Sequence, residues 1–151
     1  MMKKLGFVLV AALCVMAVAG GVTAIAAEFG TAAEAKAMLE KAVAAIKADK
    51  AKALAMFTKG EGGFKDRDLY PFCGGPDGNF TAHPKLVGKS LKDLKDKAGK
   101  ALGEEMYKVA KEGKISEVGY MWPRPDSTDP VHKVSFVTKV DDQVCAVGYY
   151  K

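Results

Sequence analysis

The stretch SEVGYMWPRPDSTDPVHKVSFVTKVDDQVCAVGYY, residues 116–150, decides the fold. It contains three extended runs, Ser116 to Trp122, His132 to Val140 and Gln143 to Tyr150, rich in Val, Tyr, Phe and Thr. Pro123-Arg124-Pro125-Asp126 opens the first connection, and Asp141-Asp142 makes a tight hairpin turn in the second. Side chains alternate faces along a strand, so Tyr120 and Trp122 project together, and so do Lys133 and Ser135.

Upstream lie two shorter extended runs, Leu69 to Cys73 and Phe80 to His83. Between them Pro76-Asp77-Gly78 is a strong turn signal, so the pair reads as a hairpin. Pro71 removes one backbone donor, which suits the start of a strand. Residues 84–100 are rich in Lys, Asp and Gly, and predict one short helix beginning near Ser90. A further helix follows, with Leu102, Met106, Val109 and Ala110 on one face and Gly113 as its stop. From Thr31 to Thr58 strong helix formers dominate, and Thr31 with Glu34 spells a capping box. Met38, Leu39, Ala42, Val43 and Ile46 form an apolar stripe. Asp49 resets the pattern ahead of Leu54 and Phe57, which predicts a kinked helix or two helices broken there.

The order is helix, two strands, two helices, three strands. Five antiparallel strands must bury one sheet face, and the long N-terminal helix has the apolar surface to cover it. The opposite face is left to the central helices and loops. Between them a half-cup forms, where a small ligand would enter.

Composition bounds the function. The chain has 151 residues, 49% of them hydrophobic and 27% charged, the profile of a single folded domain and too little for a multidomain enzyme, a kinase or a TIM barrel. The net charge of +5 rests on 21 Lys against 2 Arg, with both signs interspersed, which is solvated surface rather than a nucleic-acid site. Residues 1–26 read as a secretory signal peptide: Lys3 and Lys4, an apolar run from Leu5 to Val22, and the small-residue site Ala24-Ile25-Ala26. An uncleaved N-terminal anchor is the alternative. Residues 27–151 are then one periplasmic domain, with Cys14 a bystander in the leader and Cys73 and Cys145 in an oxidising compartment that permits a disulfide.

Several fragments carry a family resemblance in their order and spacing: Asp68-Leu69-Tyr70-Pro71-Phe72, Asp77-Gly78-Asn79, Ala82-His83-Pro84, Leu86-Val87-Gly88-Lys89, Tyr120-Met121-Trp122-Pro123 with Pro125, Lys133, and a closing Val147-Gly148-Tyr149-Tyr150. From about Ala32 to Lys151 the chain resembles the type-2 single Cache family of extracytoplasmic sensing domains. The resemblance implies an α+β, PAS-like or profilin-like fold: a five-stranded antiparallel sheet in the order 2-1-5-4-3 with a long N-terminal helix. It implies a pocket for small organic molecules, often carboxylates. Members of the family commonly continue into a membrane helix and a signalling domain, so a chain ending at Lys151 is expected to signal through a partner such as a membrane receptor or kinase. In the implied strand order Cys73 and Cys145 lie on neighbouring strands, and a disulfide and two buried free thiols both remain open.

No motif supports catalysis. His83 and His132 stand in no metal-binding or nucleophile pattern, so no enzyme activity, cofactor, metal or nucleic-acid partner is expected. The expected site is a ligand pocket. Tyr120 and Trp122 form its wall, Phe72 closes the apolar side, Lys133 supplies the charge for an anion, and His83 and Ser135 add donors. For His83 the plainer role is a strand-end histidine bonded to nearby backbone, and for Lys133 an exposed edge lysine. The function expected is a secreted binding or sensing module for a small organic molecule, a short carboxylate. Its rival is a non-catalytic scaffold whose cup is filled by its own side chains.

Overall fold

The Thr31 hydroxyl accepts from the Glu34 N–H at 3.3 Å, and the Glu34 carboxylate accepts from the Thr31 N–H at 2.8 Å, which starts α1 (Ala32–Ala48). The computed structural model describes residues 27–151. At Asp49 the backbone turns extended (φ −159°, ψ 96°) and ends α1. The Asp49 side chain then accepts from the Lys52 N–H at 3.1 Å and caps α2 (Lys50–Lys59). Two helices are observed, not one kinked helix. Gly60 closes α2 at φ +71°, a conformation that glycine adopts without the Cβ clash of other residues.

The strands are β1 (Pro71–Gly74), β2 (Phe80–Ala82), β3 (Ser116–Pro123), β4 (Pro130–Val140) and β5 (Gln143–Tyr150), and the third helix is α3 (Leu102–Val109). They pair antiparallel in one sheet of order β2-β1-β5-β4-β3, the α+β arrangement that the family resemblance implied. Leu69 stands outside β1 because its backbone pairs with Asp66 instead.

Alternation splits the sheet into two faces. Cys73, Phe136, Val140, Cys145 and Val147 point toward α1 and α2, where they meet Leu39, Ala42, Ile46 and Phe57. Phe72, Tyr120, Val137, Val144 and Ala146 point the other way, against α3 and the long connection before it. On the first face Cys73 lies opposite Cys145 across β1 and β5, and the two are joined in a disulfide.

Two helix expectations are corrected. No helix forms from Ser90. Its hydroxyl accepts from the Asp93 N–H at 3.1 Å, as a cap would, but the backbone around it serves β2: the Phe80 N–H donates to Lys89 O and the Gly88 N–H to Phe80 O. Further on, the Asp96 carboxylate takes the N–H groups of Ala98, Lys100 and Met121 at 2.8–2.9 Å, which ties the connection to β3. Local side-chain acceptors compete with helix in this way. The second correction is the end of α3, which stops at Val109, before Gly113. The Lys111 and Lys114 carbonyls both accept from the Thr138 hydroxyl on β4, so this segment is drawn onto the sheet.

Residues 1–26, and with them the expected signal peptide and Cys14, lie outside the described residues. Among the described residues no helix is long and apolar enough to cross a membrane.

Candidate functional site

Lys133 lies on β4 between Tyr120 of β3 and Tyr150 of β5, and only 1% of its surface is exposed, so it is not an edge lysine. Gly148 makes this burial possible: a Cβ there would stand 2.5 Å from Lys133 Cε, so the aliphatic stem lies across bare backbone. The ammonium sits 4.7 Å from the ring centroids of both Tyr70 and Tyr150, and it donates to the Tyr70 hydroxyl at 3.3 Å. Aromatic faces stabilise a cation without neutralising it. No carboxylate is within ion-pair distance of Lys133 among the described residues. Burial pulls its pKa down to about 7, against a smaller opposing effect of Asp68.

His83 ends the β2 hairpin arm with its ring against Tyr70, Phe72 and Phe80. Its Nδ1 accepts from the Lys85 N–H at 2.9 Å, so in the neutral ring the proton is on Nε2. Burial, together with the charges of Lys133 and Lys85, lowers its pKa to about 4 and keeps the ring neutral at physiological pH. The plain backbone-bonded role and a place in the cavity wall are both observed for this residue.

Phe72, His83, Tyr120, Trp122 and Lys133 meet around one inner cavity, closed further by Tyr70 and by Leu86, Leu91, Leu94 and Leu102. Its volume is about 20 Å³, room for roughly one water. Ser135 departs from expectation. Its hydroxyl is 2.7 Å from that of Tyr120, fully buried and outside the cavity lining, so it orients the Tyr120 hydroxyl and is not itself a donor to the space. Burial raises the Tyr120 pKa and that of Tyr70, the latter to about 12, so both phenols stay protonated.

A second, larger space of about 430 Å³ shares Tyr70, His83, Leu86 and Trp122 with the first. The four side chains common to both linings are termed the neck. The connection between β3 and β4 lines this larger space and is held by Arg124. That guanidinium donates to Asp68 Oδ2 at 2.8 Å and lies 3.8 Å from the Phe29 ring centroid and 4.5 Å from that of Tyr150. Asp68, buried, takes the Gly30 N–H on its other oxygen at 2.7 Å, so one carboxylate ties the entry of α1 to the β3–β4 connection.

Sequence reasoning missed Tyr70, Gly148 and Tyr150 as site residues, and Asp68 and Arg124 as their support. The only signal available was that four of the five fall within the family fragments. Among the described residues no group of three or more His, Cys, Asp or Glu is placed to hold a metal ion.

A family model for the Cache domain matches residues 30–149. A methyl-accepting chemotaxis protein, McpP, of Pseudomonas putida is 36% identical over 56 residues. That segment is 37% of this chain and 10% of the receptor, so the chain spans a small part of this relative's length. Among solved structures, a methyl-accepting chemotaxis protein from Vibrio parahaemolyticus superposes with a TM-score of 0.64 at 26% identity, covering 78% of this chain and 86% of the other. A periplasmic sensor domain of a chemotaxis protein follows at 0.58 and 26%, covering 76% and 86%. A Cache chemosensory domain solved for its carboxylic acid recognition shares the fold at 0.58 and 24%, covering 76% and 84%. With the model matched along nearly all the described residues, this chain belongs to the Cache domain family.

Proposed function

We propose that the domain is a periplasmic sensing module that binds a short organic carboxylate at Lys133 and passes the signal to a membrane receptor or kinase. The observation that carries this reading is the buried Lys133 ammonium, without a carboxylate partner among the described residues, facing a cavity walled by aromatic rings and a neutral histidine. A buried cation without a counter-ion is costly, and a bound anion supplies what is missing. The Lys133 ammonium is the charge partner, the His83 Nε2–H and the Tyr70 and Tyr120 hydroxyls are the directional donors, and Phe72 and Trp122 enclose the short apolar tail. The sensing role is supported by similarity to sensor domains of chemotaxis proteins, and the carboxylate by the Cache domain solved for carboxylic acid recognition. No catalytic step is assigned to it. Export depends on residues 1–26 acting as a signal peptide, which intact-mass analysis of periplasmic material tests.

A second reading has its own support. An inner cavity of about 20 Å³ is nearly filled by the protein's own side chains, as in a scaffold without a ligand. On the sensing reading Trp122 and Leu86, half-buried at the neck, swing outward as the ligand enters. A thermal-shift screen of the exported protein against carboxylates and amines separates the two. A ligand that binds only the native state raises the melting temperature, and a saturating ligand at about 100 times its Kd adds about 2.7 kcal/mol. A rise with carboxylates and none with amines supports the sensing reading; no rise with any of them supports the scaffold.

A further inference from the structure

The inner cavity and the outer groove differ twentyfold in size, about 20 Å³ against about 430 Å³, and they meet at the neck of Tyr70, His83, Leu86 and Trp122. The inner space as it stands has room for roughly one water-sized group, so only the head of a ligand enters it, once Trp122 and Leu86 give way. The groove lies within the roughly 300–1,000 Å³ typical of small-molecule sites. Its surface suits a ring: the Trp122 indole and Tyr70 stand at the neck, and Pro84, Pro123 and Pro125 add rigid apolar faces. The rim is cationic, with Lys59, Lys65 and Lys85 making no ion pair among the described residues, against Asp126 as the one acid in the lining. That field draws in anions and repels cationic tails.

We infer that the groove is a tail subsite, so that the domain takes arylalkanoic acids, with the carboxylate passing the neck toward Lys133 and the aromatic ring lying on Trp122. This rests on the carboxylate reading and extends it, because the selectivity for the tail is set by groove residues that do not touch the carboxylate. Thr58 of α2 and Ser127 of the β3–β4 connection line the groove and not the inner cavity, so enlarging either fills the tail subsite alone.

The test titrates the whole chain with propionate and with phenylacetate, by calorimetry and by the fluorescence of Trp122, the single tryptophan. Wild type is expected to bind both, with phenylacetate at least tenfold tighter and shifting the Trp122 emission. Thr58→Phe is expected to weaken phenylacetate tenfold or more and leave propionate within twofold. Ser127→Phe, on an exposed loop, repeats the test should the helix variant have a lowered melting temperature. Lys133→Met is expected to weaken both thirtyfold or more. Propionate binding that depends on Lys133, with phenylacetate absent or unaffected by either groove variant, overturns the tail subsite and leaves the carboxylate reading standing. Failure of both acids to bind wild type overturns the two together.

Discussion

On the helix-covered face of the sheet, Phe136, Cys145 and Val147 meet Leu39, Ala42, Ile46 and Phe57 in an apolar cluster. On the other face the same β4 strand turns Lys133 and Ser135 inward, and its cover is a long connection held by backbone hydrogen bonds and the Asp96 carboxylate. One strand thus serves both a dry core and a polar cavity, because its side chains alternate. The contrast teaches where stability is made and where it is given up. The helix face binds the fold together, and that surplus lets the opposite face keep an unpaired cation in place.

Breaking the helix face has the largest expected effect. Cys73 and Cys145 are 72 residues apart in sequence, and removing the bridge by Cys73→Ala with Cys145→Ala costs about 4 kcal/mol through loop closure, measured by urea unfolding. Leu39→Ala, at a fully buried position, comes next at about 3 kcal/mol. Neither is expected to change ligand affinity in the fraction that remains folded, so a large loss of affinity would show that the faces are not separable.

The opposite face answers with the opposite sign. Lys133→Met replaces a buried ammonium by an apolar side chain of similar length and is expected to stabilise the unliganded protein by about 2 kcal/mol at neutral pH. The wild-type pH dependence follows from the same group. Below about 7 Lys133 is protonated in both folded and unfolded chains, and its full burial penalty is felt. Between about 7 and the ordinary 10.5 the folded chain has shed the proton while the unfolded chain keeps it, so stability rises with pH across that window. The variant is expected to lack that rise in melting temperatures taken across it. The smallest effect is at the far end of this face: Tyr107→Phe removes a 2.7 Å bond to the Gly75 carbonyl and costs about 1 kcal/mol in the same unfolding assay.

What was legible in the sequence follows the same divide. The β-strands announced themselves through alternation and turn residues, and Asp49 through its interruption of the apolar stripe of α1. The helix expected near Ser90 does not form because backbone groups from Gly88 to Lys92 are claimed by β2 and by Gly78 of the β1–β2 turn, a tertiary fact that local composition does not show. Lys133 is legible as the charge that opens its strand and as one of the residues carrying the family resemblance, but its burial depends on Gly148 across the strand pair and on Tyr70, 63 residues away. Alternation places Ser135 on the ligand face, but pattern gives the face of a side chain and not its partner, here the Tyr120 hydroxyl.

The most direct measurement is calorimetric titration of the whole chain with monocarboxylates of two to four carbons, on wild type and on Lys133→Met. Wild type is expected to bind more tightly at about pH 6.5 than at about pH 8.5, since the ammonium form holds the anion and is depleted above about 7. The variant, folded and more stable, is expected to lose roughly 2–5 kcal/mol of binding free energy, thirtyfold or more in affinity. A folded Lys133→Met chain that binds as wild type does, or a wild-type chain that binds none of these acids, would contradict the account.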